Sequence, residues 1–269
     1  MSVRNVGAMT EHFKLQVVLP NETPGMDPGR PAELARHAEE LGYETAWLPD
    51  HVLPPGPFGQ VFGGVYEPLI TLTHVAARTE TIRIGTSILI LPLREPFVLA
   101  KQVATLDALS GHRLTLGVGV GWNEPEFAEV GADFASRGPR TDETLALLER
   151  LFSTGRGPDG GYFEPRPGHV PLMIGGNSAV ALRRAARVGD SWLSAGLEPA
   201  EFGERVAKLR TFDRHVEAVA RIEWSPEVDL AAYAAAGADA VAVHFGAEAG
   251  YEERMAELMA RNRAITTIS

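Results

Sequence analysis

The chain has 269 residues, close to the ~250 of one (β/α)8 barrel and near the upper size of a single hydrophobic core. Its formal charge is −10, from 25 basic and 35 acidic side chains with no basic block, which argues against nucleic acid or an anionic membrane as a partner. There is no cysteine, hence no disulfide and no thiolate nucleophile or metal ligand; without a signal-peptide core or an apolar run of ~18 residues, the expected location is the cytoplasm.

Short apolar runs alternate with longer amphipathic ones, the pattern of βα units around a parallel sheet. Residues 1–12 read as a flexible leader, and 13–20 (FKLQVVLP) as the first strand. Pro31 opens a helix over 31–41, and Gly42 ends it. Strand two is 45–48, a helix covers 67–78, and strand three is 82–91. The helix at 97–109 sets Leu99, Val103, Leu106 and Leu109 on one face, with Gly111 as its cap. Strand four, 114–119, is apolar enough to be buried on both faces. A helix at 141–152 follows, then a Gly- and Pro-rich insertion loop at 154–170. Strand five (172–174), a helix (178–188) and strand six (191–194) come next, then a helix at 199–209. Strand seven lies within 215–224, where helix and strand patterns compete. A helix at 229–236, strand eight at 240–245 and a closing helix at 251–265 complete about eight units. The predicted fold is therefore a single-domain (β/α)8 barrel over 1–269. A doubly wound sheet competes, but the turn after strand one, NETPGMDPGR, lacks its glycine-rich fingerprint.

In such a barrel the active site sits at the C-terminal ends of the strands. Asp50 and His51 follow strand two; a histidine there can move a proton, and a backbone-bonded loop histidine is the plain alternative. Thr86, Ser87 and Ile88 follow a strand-interior glycine, Gly85, which signals a bulge or a close approach. Gly117, Gly119 and Gly121 end strand four and would let a planar ring approach the backbone. Trp122 and Glu126, four apart, share a face if helical. Gly175, Gly176, Asn177 and Ser178 join strand five to a helix whose N-terminus suits a phosphate, with Arg183, Arg184 and Arg187 adding positive charge. Strand one has no His-x-His, no helical histidine pair has ligand spacing, and His244 stands isolated, so no metal is expected. No Gly-x-Ser-x-Gly turn supports serine hydrolysis.

Taken in order, ELARHAEELGYETAWLPDHVLPP (33–55), IRIGTSILILPLREPFVLAKQVATLDALSGHRLTLGVGVGWNEPEF (82–127), PLMIGGNSAVALRRAARVGDSWL (171–193) and AAGADAVAVHF (235–245) resemble the luciferase-like monooxygenase superfamily. The resemblance covers most of the chain from Phe13 onward. It implies a barrel whose mouth holds FMN or the deazaflavin coenzyme F-420. Asp50 and His51 are similar to the family's Asp-His after strand two, the histidine serving as proton donor or acceptor. Thr86, Ser87 and Ile88 resemble the strand-three bulge that backs the ring, with a cis peptide at Ser87–Ile88. Residues 119–122 with Glu126 resemble the G-x-G-W-x-x-x-E element beside the cofactor, and 175–178 the phosphate loop. Two departures stand out. Ser191 replaces a glycine in the family's Gly-Asp-Gly-Trp turn, and the segment after strand six lacks a clear strand seven, which would leave one side of the mouth open.

The resemblance implies either hydride transfer between F-420 and a small organic substrate or a two-component monooxygenase using O2 and reduced FMN from a partner reductase. The wording of GTSILILP and GVGVGWNEPEF favours the deazaflavin, with Arg94 and the three arginines of the phosphate helix concentrating positive charge for its anionic tail. Loops 52–66 and 154–170 are expected lids, and a homodimer is the expected assembly. A phosphate-binding isomerase or aldolase is the competing enzyme class, but Lys14, Lys101 and Lys208 lie at the wrong places for it. A non-catalytic flavin-binding protein is the third alternative.

Overall fold

The computed structural model describes residues 13–56, 63–246 and 248–267. The expected leader at 1–12 and part of the expected lid at 52–66 lie outside them. Eight βα units run in order. The first half comprises β1 (Lys14–Val18), α1 (Arg30–Leu41), β2 (Thr45–Leu48), α2 (Pro68–Ala76), β3 (Arg83–Thr86), β4 (Leu89–Ile90), α3 (Pro96–Leu109), β5 (Leu114–Gly119), α4 (Glu124–Glu129) and α5 (Arg137–Thr154). The second half comprises β6 (Leu172–Gly175), α6 (Ala179–Val188), β7 (Ser191–Leu193), α7 (Pro199–Leu209), β8 (Glu217–Glu223), α8 (Leu230–Ala235), β9 (Ala240–His244) and α9 (Tyr251–Thr267).

All strand pairs are parallel, and β1 pairs with both β2 and β9, so the sheet closes on itself as a (β/α)8 barrel. The third barrel strand is split between β3 and β4. Gly85 faces Thr115 and Leu89 faces Val118. Three residues on this strand therefore oppose two on β5, which is a bulge at 86–88. The run at 82–91 is therefore interrupted at Thr86, Ser87 and Ile88, where the resemblance implies a bulge. Strand parity sends Leu15, Val17, Ala46 and Ile84 out to the helices, and Val18, Trp47, Met173, Val219 and Ala242 into the barrel.

Several helices start on a Glu-Pro pair, where proline lacks the N–H that the first turn cannot use. Glu67 accepts the Ile70 N–H and Glu95 the Val98 N–H, each capping its helix. Gly42, at φ 92°, closes α1 in the left-handed region that L side chains rarely adopt.

Four expectations need correction. Leu109 is 65% exposed and does not join the core face of α3. That helix is capped by Ser110, not Gly111, which lies one residue beyond it at φ 65°. Helix α5 begins at Arg137, four residues before the apolar periodicity becomes readable. Strand seven is a regular seven-residue strand, β8, paired on both sides, so the barrel wall is complete there. The 154–170 segment is a loop held by a short bridge between Arg156 and Tyr162. Ser191 keeps its turn, because Asp190 accepts the Leu172 N–H at 2.8 Å while its own N–H donates to Leu172 O at 2.7 Å. Among the described residues no helix is long and apolar enough to cross a membrane.

Candidate active site

A cavity of about 780 Å³ opens at the C-terminal mouth of the barrel. Most of the sequence-predicted site meets there: Asp50, His51, Ser87, Ile88, Gly119, Gly121, Trp122 and 175–178 all line it. Thr86 and Glu126 lie just behind the wall. The Thr86 hydroxyl donates to Gly117 O at 2.6 Å, tying the bulge to β5.

The glycines act differently from the sequence expectation. A Cβ on Gly119 would stand 2.6 Å from Ile88 Cδ1, and one on Gly175 would stand 2.5 Å from Ile88 Cγ2. A Cβ on Gly117 would meet the Thr86 carbonyl oxygen at 1.8 Å. These glycines seat the bulge itself. Ile88, whose peptide with Ser87 is cis, fits between β5 and β6 and presents its remaining flank to the cavity. The cavity floor thus includes the Ile88 side chain beside the backbone of Gly119, Gly121 and Gly175.

His51 is clamped from behind. Its Nδ1 lies 2.8 Å from Glu126 Oε2, and Glu126 Oε1 accepts the Val52 and Leu53 N–H groups at 2.7 and 3.0 Å. Burial raises the Glu126 pKa, but the bonds from His51, Leu53 and Val52 outweigh it and hold the carboxyl below its usual range. An ionised carboxylate is acceptor-only, so it fixes the proton on Nδ1 and leaves Nε2 for the site. Trp122 meets the His51 ring edge-on, with centroids 5.9 Å apart. Trp122 is 62% exposed and precedes α4, whereas Glu126 is buried within it, so the two share no face.

Asp50 is a nearly buried residue of the cavity wall. Its carboxylate accepts the Ile90 N–H at 2.9 Å and an Arg94 N–H at 2.7 Å. It thereby fixes β4, and with it the floor. Arg94 also pairs with Glu67, which takes it away from the tail-binding role expected of it.

The loop after β6 is braced on every side. Gly176 has φ 119°, its N–H donates to Leu193 O at 3.0 Å, and its carbonyl accepts Trp192 Nε1 at 2.8 Å. Asn177 uses its side chain on the Ala195 backbone, at 2.9 Å in both directions. Ser178 caps α6 by accepting the Ala181 N–H. What this loop offers a ligand is backbone N–H at the positive end of α6. Of the three arginines expected near it, Arg184 lines the cavity and is paired with Asp142; Arg187 also pairs with Asp142, and Arg183 is exposed.

Sequence reasoning missed Arg137, Ser194 and Arg221, all on the cavity wall. Ser194 was findable as the residue closing a strand, whereas Arg221 was hidden in the ambiguous strand seven. His244 is not isolated: its ring nitrogens lie 2.9 Å from Glu22 and from Glu223.

Buried polar atoms on the wall point to a polar ligand. Ser87 Oγ, Ser194 Oγ and Arg137 Nε have no hydrogen-bond partner among the described residues. A braced anion loop, an apolar floor and unspent donors fit a planar ring with a phosphate-bearing tail.

The luciferase-like monooxygenase family model matches residues 12–265. The chain is 33% identical over 194 residues to 4-hydroxyprotoasukamycin monooxygenase of Streptomyces nodosus subsp. asukaensis, covering 66% of this chain and 50% of that one. It is 32% identical over 178 residues to an F420-dependent glucose-6-phosphate dehydrogenase of Kineococcus radiotolerans, covering 62% and 52%. The matches thus span about half the length of these two relatives. In fold, the F420-dependent tetrahydromethanopterin reductase of Methanopyrus kandleri superposes with a TM-score of 0.72 at 17% identity, over 93% of this chain and 98% of that one. The chain belongs to the luciferase-like monooxygenase family, and its relatives include both a monooxygenase and an F420-dependent dehydrogenase.

Proposed function

We propose that this protein is a deazaflavin-dependent oxidoreductase that exchanges a hydride between coenzyme F-420 and a small organic substrate. The observation that carries the reading is the His51–Glu126 pair at the cavity beside the Ile88 floor. When bound, the coenzyme would supply the ring that takes or gives the hydride. The protein's residues supply the rest. The Asn177 and Ser178 amides at the start of α6 hold the tail phosphate, and Ser87 and Ile88 support the ring. His51 Nε2 takes the proton released from a substrate hydroxyl, or returns it in the reverse direction. Asp50 and Glu126 are positioning residues: the first fixes the floor through the Ile90 N–H, and the second fixes the His51 ring.

The monooxygenase relative at 33% identity favours a second reading, in which FMN reduced by a partner reductase serves O2 chemistry at the same site. A homodimer fits either reading; Ile70 on α2 and Phe97 and Val98 on α3 are exposed apolar side chains that an interface could cover.

The two readings separate on a fluorescence titration with F-420 and, independently, with oxidised and reduced FMN. Saturable binding of F-420 alone supports the first reading. Binding of FMN alone replaces it with the second. Binding of neither by folded protein refutes both.

A further inference from the structure

Around the cavity mouth the lining divides by strand. The ends of β6, β7 and β8 bring the loop at 175–178, Ser194 and Arg221; the ends of β2, β4 and β5 bring Pro49, His51, Ile90, Val120 and Trp122. Most of the charge on the wall is matched. Arg184 is paired with Asp142, Arg221 stands in the field of Glu223 and Glu22, and Asp50 is bonded to Arg94. Arg137, whose Nε is unpartnered, opens α5, and the carbonyl of Gly138 beside it lies 3.5 Å from Arg184 Nη2 on α6. It therefore belongs with the tail loop at the start of α6. On the His51 side, the described residues that line the cavity offer no unpaired charge, and Ser87 adds only a hydroxyl. Residues 57–62, outside the described ones, read PFGQVF and carry no charge either.

Trp122 dominates that side. Gly121 turns the chain at φ 78°, and a Cβ there would stand 2.7 Å from the Phe127 ring and 2.8 Å from Ile90 Cγ2. The packed turn leads the next residue to the cavity wall rather than into the core, and Trp122 stays 62% exposed there. Its indole meets the His51 imidazole at 84°, with centroids 5.9 Å apart. A molecule bonded to His51 therefore lies beside the indole. Val52 and Leu53, whose N–H groups are held by the Glu126 carboxylate that also clamps His51, are exposed as well. An indole that only shielded the His51–Glu126 pair would have no need to leave most of its surface open. That surface is apolar area a ligand can bury.

We propose that Trp122 is a specificity-determining residue, the platform against which the substrate's body packs, so that the substrate is an uncharged alcohol or ketone with an aromatic body. The inference rests on the reading above, in which the coenzyme occupies this cavity and His51 carries the proton. An aromatic ring packs offset or edge-on against an indole and gains affinity beyond the area it buries. A phosphate or carboxylate on the substrate would instead be desolvated beside Trp122 and Ile90 with no free cation to meet it, which is costly.

The test uses thermal melts by circular dichroism with three probes: 2-naphthalenemethanol, its fully saturated decalin analogue and glucose 6-phosphate. They are run without oxygen on protein saturated with the reduced form of whichever coenzyme it binds, with which an alcohol forms a dead-end complex, and on protein without coenzyme. Wild type is expected to show a saturable rise in Tm with the naphthyl alcohol, about 2- to 10-fold tighter than with the saturated analogue, and none with glucose 6-phosphate. Trp122→Ala is expected to lose at least ~10-fold in naphthyl affinity and to keep its coenzyme affinity, with Trp122→Phe within about 3-fold of wild type. Trp122→Leu keeps apolar bulk without the aromatic face, so it should bind the naphthyl and saturated alcohols equally. The proposal is overturned if glucose 6-phosphate binds and the naphthyl alcohol does not, if Trp122→Ala keeps the naphthyl affinity, or if Trp122→Leu keeps the aromatic preference. It is also overturned if coenzyme affinity falls as far as naphthyl affinity in Trp122→Ala, since the indole would then serve the coenzyme ring. Should Trp122→Ala fail to fold, the Phe and Leu variants decide by the same criteria. Failure of the coenzyme reading shows in the separate coenzyme titration, while the melts without coenzyme still decide whether Trp122 holds an aromatic body.

Discussion

The Ile88 floor can be tested by adding single methyl groups on either side of it. In Gly175→Ala the new Cβ meets Ile88 Cγ2 at 2.5 Å; in Gly119→Ala it meets Cδ1 at 2.6 Å and Cγ1 at 2.9 Å. Carbon atoms prefer roughly 3.5–4.0 Å, so each methyl overlaps by about 1 Å. Overpacking of this kind costs about 1–3 kcal/mol. At this chain size that lowers Tm by roughly 2–4 °C per kcal/mol. The two variants differ in how they can be relieved. Ile88→Val removes Cδ1 and keeps Cγ2, so it should recover part of the loss in Gly119→Ala and none of that in Gly175→Ala. Ile88→Ala removes both contacts and should couple favourably with either, by about 1 kcal/mol or more in a double-mutant cycle. Melts of the singles and doubles, with coenzyme titrations alongside, read both packing and floor geometry. Equal rescue of the two glycine variants by Ile88→Val, or unchanged Tm in both, would refute this account of the floor.

Glu126→Gln leaves acceptors for Val52 and Leu53 but presents an amide N–H₂ to His51 Nδ1; the histidine should switch to the Nε2–H tautomer, visible in ¹⁵N shifts of labelled His51, with ~10²-fold or greater loss of turnover once a substrate is in hand. Gly176→Ala should cost about 1–2 kcal/mol because its φ of 119° lies where an L residue is strained, and coenzyme affinity should fall with stability; an unchanged titration would show that the loop does not hold the tail. Ser178→Ala removes the α6 cap and should cost ~1 kcal/mol in denaturation. His244 has a folded pKa raised above its ordinary 6.5, so its stabilising contribution is complete below that value and is lost as pH rises through the raised one; the Tm gap between wild type and His244→Asn should shrink from pH 6 to pH 9, and a constant gap would exclude a charged His244.

Strands β2 and β5 were legible to the residue, because each is a continuous apolar run bounded by turn-formers and buried on both faces. The Asp50-His51 pair and the loop after β6 were legible too, since strand ends are where this architecture puts its chemistry. The bulge at 86–88 and its cis peptide were legible through the family resemblance, but the packing that seats the bulge was not: it depends on the Thr86 carbonyl finding a position opposite Gly117 that has no side chain, a fact about two strands rather than one. The pattern of glycines was visible, but what they make room for was not. Arg221 escaped because a parallel strand is expected to be apolar throughout, and a cation inside the barrel breaks that pattern. Its counter-charges include Glu22, which reaches His244 across 222 residues only when β1 closes against β9.

An acidic chain of net charge −10 offering a site to anions is no contradiction once each carboxylate near the cavity is traced to its partner. Asp50 is spent on Arg94 and the Ile90 N–H, and Glu126 on two backbone N–H groups and His51. Asp142 is spent on Arg184 and Arg187, and Glu22 and Glu223 on His244. What remains facing the cavity is a set of donors: the Ser87 and Ser194 hydroxyls, Arg137 Nε and the amides at the start of α6. Net charge acts over a Debye length of about 8 Å at physiological salt, whereas binding is decided at hydrogen-bond range. The acids therefore serve as the frame that holds the donors in place. Removing a framing carboxylate should harm the site more than removing an exposed one of equal charge.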